Sequence, residues 1–310
     1  MPPLLSSPRF WLACAAAAAL ALLPLWMSAY ALGVLTMAYY FGVFAMSWDL
    51  LFGYAGEVNF GPTFLIGLGA YTGGMLNSYS PVPMWLCIVA GAFAAVLGGA
   101  LLALPALRLR GPYFGLVTLV AVLILQQFIV IFAGVTGGEI GLAVPDVLAV
   151  STDANYYYAL GFVLASAAVL LAFARSPIGL ILEATGQDRI AAEALGFNVT
   201  KHKLLAFCLS AFFSGLAGAL LIFYLGTASV GTVVDIAVAV QIIIAAVLGG
   251  RRTILGAALG AVFLIVAGEY LRPIGELSNF VVAALALAVL MFVPDGFLGY
   301  LMRRRRGGSP

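Results

Sequence analysis

The feature that most constrains this chain is a series of ten mostly apolar stretches, each close to the length that a helix needs to cross a bilayer. A hydrocarbon core about 30 Å thick is spanned by about 20 residues at a rise of about 1.5 Å each. Only 8% of the residues are charged, against about 25% in a soluble domain, and a β-barrel would show alternating strands of about ten residues. We therefore predict an all-α polytopic membrane protein with about ten transmembrane helices, at 10–31, 34–52, 60–76, 83–106, 113–134, 156–174, 204–226, 235–249, 254–271 and 279–299.

The distribution of basic residues predicts the orientation of these spans. If the first span starts in the cytoplasm, 13 of the 14 lysines and arginines fall in cytoplasmic segments and only Arg272 falls outside. The positive-inside rule then places both termini in the cytoplasm, and the basic run at 303–306 is expected to contact anionic lipid. The cytoplasmic set is Arg9, Arg108, Arg110, Arg175, Arg189, Lys201, Lys203, Arg251, Arg252, Arg303, Arg304, Arg305 and Arg306.

The plan of the spans leaves several alternatives open within one predicted transmembrane domain, residues 1–310. The third and eighth stretches are short, so they can be half-helices or re-entrant segments that line a cavity. Two sets of five spans would have opposite orientations, which is an inverted-repeat plan. The first stretch, with small residues at 29–31, also fits a cleaved signal peptide. Small residues four apart, which predict close helix packing, occur at Gly69 and Gly73 and at Gly256 and Gly260.

A polar segment at residues 175–203 interrupts the apolar pattern. It holds seven of the chain's 26 charged residues, and burying seven charges in a membrane would cost on the order of 20 kcal/mol. We therefore predict that it lies on the cytoplasmic side as two short helices. Ser176 caps the first, which closes near Gly186, and Asp188 caps the second, which ends at Gly196. Helices this short are unstable alone, so they lie either in a groove on a partner or on the protein's own surface.

Residues typical of catalysis are missing from the sequence. The single histidine, His202, lies in a basic loop, and no H-E-x-x-H, paired-cysteine or G-x-S-x-G motif occurs. Because there is no Gly-Lys dipeptide, no P-loop is present, and any ATP must be bound by another chain. We expect no cofactor, metal or nucleic acid here. Ion coupling is poorly supported, since Asp49 and Glu269 lie near span ends that water reaches. Polar groups at membrane depth, which either face a pathway or bridge helices, are Gln126, Gln127 and Gln241.

Six sequence segments along residues 34–306 follow one another in an order that is typical of one protein family. They read WDLLFGYAGEVNFGPTFLIGLGAYTGGML from position 48, RGPYFGLVTL from 110, TGGEIGL from 136, DRIAAEALGFNVTKHKLLAFCLSAFFSGLAGAL from 188, AAVLGGRRTILGAALGA from 245 and VPDGFLGYLMRRRR from 293. Together they resemble the LivM-type permeases of the branched-chain amino-acid ABC importer family. Each segment alone would be a weak signal.

The resemblance implies a heteromeric importer. This chain would pair with a second, LivH-type permease, two cytoplasmic ABC ATPases would dock beneath, and an extracytoplasmic binding protein would deliver the solute. Two departures from the family pattern are Thr185-Gly186, which looks less helical than the continuous segment of relatives, and Pro62, where relatives often carry histidine or a small residue. The polar segment would be the ATPase-coupling helix, formed by Asp188, Arg189, Ala191, Ala192, Glu193, Ala194, Leu195 and Gly196.

Two loops rich in glycine and polar residues are the predicted pathway or gate. Glycine-broken helix ends expose N–H groups that favour a carboxylate and C=O groups that favour an ammonium, which suits an amino-acid zwitterion. The predicted topology places the loops on opposite membrane faces, so they are either gates or ordinary turns. One loop contains Glu57, Asn59 and Gly61, and the other contains Thr136, Gly137, Gly138 and Glu139.

These observations predict a permease subunit of an ATP-driven importer, without its own ATPase site, in the bacterial plasma membrane. The expected solutes are branched-chain or other hydrophobic amino acids. A urea or short-chain amide permease shares the architecture and is the first alternative. A stand-alone ion-coupled transporter is a weaker one, because it would need charged groups near the midplane.

Overall fold

Helices form almost all of the regular structure, as the apolar stretches predict. The computed structural model describes residues 8–107, 113–275 and 284. Besides its α-helices, the described chain has short 3-10 turns at Leu23–Leu25 and Arg272–Ile274 and a π-helical turn at Leu50–Ala55. The elements are α1 (Pro8–Leu22), α2 (Ala29–Asp49), α3 (Pro62–Tyr79), α4 (Met84–Ala106), α5 (Tyr113–Ile131), α6 (Ala133–Thr136), β1 (Leu142–Ala143), α7 (Thr152–Ala174), α8 (Pro177–Gln187), α9 (Arg189–Ala194), α10 (Val199–Leu225), β2 (Thr227–Ala228), α11 (Val230–Val233), α12 (Ile236–Gly249) and α13 (Ile254–Leu271).

Seven helices in the described residues are long and apolar enough to cross a membrane, which confirms the all-α polytopic class. The third predicted span forms α3, which has 18 residues but is not among the seven. The first predicted span, 10–31, is interrupted, because α1 ends at Leu22 and α2 begins at Ala29. The tenth, at 279–299, lies outside the described residues except for residue 284. Arg108, Arg110 and the run at 303–306 also lie outside them. The seven are Ala29–Ala55, Met84–Ala106, Tyr113–Ile131, Thr152–Ala174, Val199–Leu225, Val230–Gly249 and Ile254–Leu271.

The eighth predicted span, 235–249, forms α12, which is short, as its apolar stretch predicts. The short helix α11 precedes it, and the chain between the two helices is non-helical at Val234. Asp235 caps α12 by accepting a hydrogen bond from the backbone N–H of Ala237 at 2.7 Å. The Gln126 side chain on α5 donates to the Val234 carbonyl at 3.2 Å. Gln126 therefore bridges two helices and satisfies a carbonyl that the break leaves without a helical partner.

The centre of the bundle is formed by α2, α3 and α10. Every residue of α2 from 38 to 49 is buried, and a helix that is apolar on all sides is expected to be enclosed by other helices. The outer helices α4 and α5 instead expose large apolar side chains, among them Leu101 at 73% and Ile124 at 64%. Such faces are suited to contact with lipid or with another apolar protein surface.

Glycine allows the central helices to approach each other closely. A Cβ added to Gly69 of α3 would clash with the backbone of Gly215 on α10, and one added to Gly91 of α4 would clash with the Gly69 carbonyl. Gly256 and Gly260 face the backbone of α12 in the same way. The close packing that the glycine pairs predict is therefore confirmed.

A short sheet joins two loops at one end of the bundle. Strands β1 and β2 pair antiparallel, with Leu142 opposite Ala228 and Ala143 opposite Thr227. The C-terminal turn of α3 contacts the same place, because the Ser78 hydroxyl donates to the Ala143 carbonyl at 2.9 Å. We call this the strand end of the bundle, and the sheet links the loop before α7 to the end of α10.

The glycine contacts lead to a stability prediction. Gly69→Leu would force a side chain into the backbone of α10, and overpacking of this kind costs about 1–3 kcal/mol or more. We expect a clear loss of thermal stability in detergent, measured by fluorescence-detected size-exclusion chromatography after heating.

Gly161→Leu is the matched control for this change. Gly161 lies on α7, is exposed, and has no atom within 4 Å of an added Cβ. The control should therefore melt like the unmodified protein. Equal melting temperatures for both variants would contradict the packing described above.

Candidate functional site

The end of the bundle opposite the strand end carries most of the predicted site residues. We call it the basic end and define it by three segments: the loop at 56–61, the polar segment at 175–203 and the connection at 250–253. Here α2 continues into the π-helical turn, which ends at Gly56 with φ of 71°. Single π-helical turns occur often at functional sites.

The polar segment forms two capped helices, as predicted. The Ser176 hydroxyl accepts from the N–H of Gly179 at 3.3 Å, and Pro177 opens α8. One Asp188 carboxylate oxygen accepts from the N–H groups of Ile190 at 2.9 Å and Ala191 at 3.0 Å. These caps satisfy backbone donors that the first turn of a helix leaves free.

The expectation of reduced helicity at Thr185-Gly186 is wrong. Helix α8 runs through both residues to Gln187, and the Thr185 hydroxyl donates to the Leu182 carbonyl at 2.8 Å. Gly186 is needed for packing rather than for a bend, because an added Cβ would lie 2.6 Å from the Tyr54 carbonyl oxygen. The polar segment is thus anchored directly on the π-helical turn.

Helix α9 projects an apolar surface away from the bundle. Ile190 is 79% exposed and Leu195 is 75% exposed, while Ala192 is buried and faces the protein. Arg189 and Glu193 form an ion pair of 2.8 Å along the helix. We call the exposed surface of residues 189–196 the α9 surface.

All eight predicted coupling residues lie in or next to α9. Gly196 ends it with φ of 86°, and an added Cβ there would meet nothing within 4 Å. A glycine at this position is therefore required by backbone conformation and not by space. Six of these eight residues are exposed: Asp188, which caps the helix, and Ala191, Glu193, Ala194, Leu195 and Gly196.

Glu57 is paired rather than open to a solute. Its carboxylate accepts from the Lys203 ammonium at 2.6 Å, and the two side chains are only 17% and 8% exposed. The pair joins the loop at 56–61 to the N-terminal part of α10. Sequence reasoning counted Lys203 only as a topology residue, and nothing in the local sequence indicates its partner 146 positions away.

Asn59 and Gly61 hold the same loop against α2 and α5. The Asn59 carbonyl accepts from the Trp48 indole at 2.6 Å, and its side-chain oxygen accepts from the Gly61 N–H at 2.8 Å. The Thr118 hydroxyl on α5 accepts from the Phe60 N–H at 3.0 Å. A Cβ on Gly61 would clash with the Thr118 carbonyl, so this turn requires close backbone contact.

The second predicted loop lies at the strand end. The buried Thr136 hydroxyl donates to the Ile129 carbonyl at 2.6 Å and accepts from the Gly138 N–H at 3.2 Å. Gly137 and Gly138 have φ of 76° and 58°, values that favour glycine. Glu139 is exposed. Helix α3 separates this loop from the loop at 56–61, so the two loops do not form one site.

The expectation that water reaches Asp49 is wrong. Asp49 is 1% exposed, because the π-helical turn and the connection at 250–253 cover the end of α2. Glu269 does lie near the other end of its span, where its side chain is 26% exposed and pairs with Arg272 at 3.0 Å. The Tyr30 hydroxyl also donates to Glu269.

The Glu57–Lys203 pair leads to a second prediction. Removing one partner of a buried ion pair leaves an uncompensated charge and costs about 3–5 kcal/mol. Lys203→Met should therefore lower thermal stability strongly, and Lys203→Met with Glu57→Gln should recover most of the loss. Thermal unfolding of the purified variants checks this, and a double variant no better than the single one would contradict it.

Comparison with known proteins agrees with the architecture. A family model described as "Branched-chain amino acid transport system / permease component" matches residues 30–293. The high-affinity branched-chain amino acid permease LivM of Salmonella typhimurium is 28% identical over 89% of this chain and 71% of its own length. LivM of Escherichia coli is 28% identical over 86% and 69%, and LivH of Salmonella typhimurium is 24% identical over 85% and 92%.

No solved structure matches the chain. The family model covers most of the chain, and seven helices can cross a membrane, so the protein is a multi-pass component of the bacterial inner membrane. It belongs to the permease-component family of branched-chain amino acid ABC transport systems.

Proposed function

We propose that this chain works with a LivH-type permease, two cytoplasmic ATPases and an extracytoplasmic binding protein, and that it moves hydrophobic amino acids inward. The observation that carries the proposal is the α9 surface, which places Ile190 and Leu195 in solvent at the end of the bundle that is rich in basic residues. The positive-inside rule puts that end in the cytoplasm, where ATPases would dock.

The α9 surface has the chemistry of a docking helix. Two large apolar side chains are exposed, Ile190 on the six-residue helix and Leu195 at its C-cap, beside a charged pair that water can reach. Apolar anchors surrounded by polar groups are common at protein interfaces. Helix α9 alone is too short to be stable, but the Asp188 cap and the packing of Ala192 hold it in place without a partner.

ATP is proposed to bind to the partner ATPases. The sequence has no Gly-Lys dipeptide and thus no P-loop. Energy from hydrolysis would then reach this chain through contacts at the α9 surface.

The loops at 56–61 and 136–139 are proposed as gate elements at the two ends of a pathway. Their positions at opposite ends, and the turns that depend on Gly61, Gly137 and Gly138, support this assignment. Because Glu57 is paired with Lys203, a change of gate position at the basic end would require that pair to break or to move as a unit.

The coupling proposal is tested by Glu193→Lys combined with Gly196→Val. The first change reverses the charge of Glu193 and so breaks its ion pair with Arg189. The second places a β-branched residue at φ of 86°. We expect the double variant to insert normally but to lose co-purification with the ATPases.

Two further variants make this test independent of backbone effects. Ile190→Asp with Leu195→Asp alters only exposed side chains and should weaken ATPase association at least tenfold, if the two anchors contribute about 1.4 kcal/mol together. Asp153→Lys, an exposed charge reversal in the first turn of α7, is the control. Normal association by both double variants would refute the docking assignment.

The solute is tested by uptake into vesicles that contain the complete importer. We expect ATP-dependent uptake of labelled leucine in the presence of the binding protein, and no uptake of labelled urea. Urea uptake without leucine uptake would favour the amide alternative. Uptake that continues without ATP and stops when the proton and sodium gradients collapse would favour an ion-coupled transporter.

A further inference from the structure

Arg252 has a backbone conformation that its residue type disfavours. It lies in the connection between α12 and α13, residues 250–253, with φ of 62°. Among the residues that the structure describes, it is the one non-glycine residue with positive φ. A residue persists in this region only where its surroundings hold it there.

Four hydrogen bonds from Arg252 to three other segments supply that restraint. Its backbone N–H donates to the Asp49 carboxylate at 3.1 Å, and its carbonyl accepts from the Tyr54 hydroxyl at 3.1 Å. The guanidinium donates to the Gly53 carbonyl at 3.0 Å and to the Glu183 carboxylate at 3.2 Å. Arg252 thus joins the α12–α13 connection to the end of α2, to the π-helical turn and to α8.

Glu183 connects this cluster to the α9 surface. It lies on α8, which is followed directly by the Asp188 cap and α9. Helix α8 also touches the π-helical turn where Gly186 approaches Gly56, since a Cβ on Gly56 would lie 3.0 Å from the Gly186 Cα. A displacement of α9 would therefore move α8 against the same turn that Arg252 contacts.

The Arg252–Glu183 pair is too exposed to be explained by its contribution to stability. The two side chains are 32% and 37% exposed, and ion pairs in contact with water contribute little to folding. The pair nevertheless links two segments that are far apart in sequence. A role in transmitting movement between α8 and the 250–253 connection would account for this contact, whereas its contribution to folding stability does not.

The Asp49 carboxylate contacts the connection with only part of its hydrogen-bonding capacity. One oxygen accepts from the Arg252 N–H, while the other is buried without a hydrogen-bond partner among the described residues. A buried acceptor without a partner is unfavourable. The hold of Asp49 on the connection is therefore incomplete.

We propose that Arg252 is a positioning residue that transmits movement of α8 and α9 to the α12–α13 hairpin through its contacts with Glu183 and Gly53. The proposal rests on the proposed function, in which the α9 surface contacts an ATPase. Helix α12 carries the movement about 21 Å along its length to its break at Val234, where Gln126 of α5 is bonded.

The experiment compares ATP hydrolysis and solute uptake in the same vesicles, using the complete importer. Glu183→Gln removes the charge of one partner on an accessible surface, so folding should be unchanged. Arg252→Gln removes the other. We expect both variants to assemble and to hydrolyse ATP within about twofold of normal, while solute moved per ATP falls about tenfold.

The double variant tests whether the two residues act together. If Arg252 acts through Glu183, Glu183→Gln with Arg252→Gln should lower the ratio no further than the stronger single change. Lys201→Gln is the matched control, because it removes an exposed basic charge near the start of α10, outside the 250–253 connection and the π-helical turn. Its ratio of uptake to hydrolysis should be normal.

Other outcomes separate failure of this inference from failure of the proposed function. An unchanged ratio in Glu183→Gln, in complexes that contain the ATPases, overturns the transmission role alone. Losses of uptake, hydrolysis and melting temperature in parallel would also overturn it, because they indicate a structural role. Absence of ATPases from the unmodified complex would refute the proposed function itself.

Discussion

Close approach of helix backbones at glycine is the contact on which the rest of the structure depends. Gly69, Gly91 and Gly215 bring α3, α4 and α10 together at a distance that any side chain would prevent. In a lipid environment, association of helices relies on such packing and on hydrogen bonds between them, since lipid tails are as apolar as the helices. Helix α2 is enclosed mainly by α7, α10, α12 and α13, and of these α10 also belongs to the glycine-packed group.

The ends of the helices depend on a different kind of contact. Where α2 ends, backbone and side-chain groups are satisfied by Asn59, Tyr54 and Arg252 rather than by water alone. Polar groups that leave water need partners within the protein. At the basic end these partners come from segments distant in sequence, so loops that look independent form one connected structure beneath the bundle.

The sequence was sufficient to predict the elements that depend on local rules. The caps at Ser176 and Asp188 and the apolar length of most spans are encoded within a few neighbouring residues, and the structure agrees with them. The prediction was wrong where contact with a distant segment determines the local structure. Gly186 suggested a weak helix, whereas its role is to allow contact with the Tyr54 carbonyl.

The candidate site was predicted only in part, because some of its residues are placed by local sequence and others by contacts with distant segments. The α9 surface follows from composition, because a charged segment cannot remain in the membrane. The pairing of Glu57 with Lys203 and the burial of Asp49 could not be read from the sequence. Each depends on contacts between segments that are far apart in sequence. The periodic pattern of apolar residues does not predict such contacts.

The pairing of β1 with β2 has a mechanical consequence. It ties the loop that leads into α7 to the end of α10, whereas the segment that joins these two helices at the basic end is long and includes α8 and α9. A relative rotation of α7 and α10 would therefore have its pivot near the strands and its largest amplitude at the far end. The strand end is thus restrained by backbone pairing, whereas the basic end is held by side-chain contacts such as Glu57–Lys203 and Arg252–Glu183.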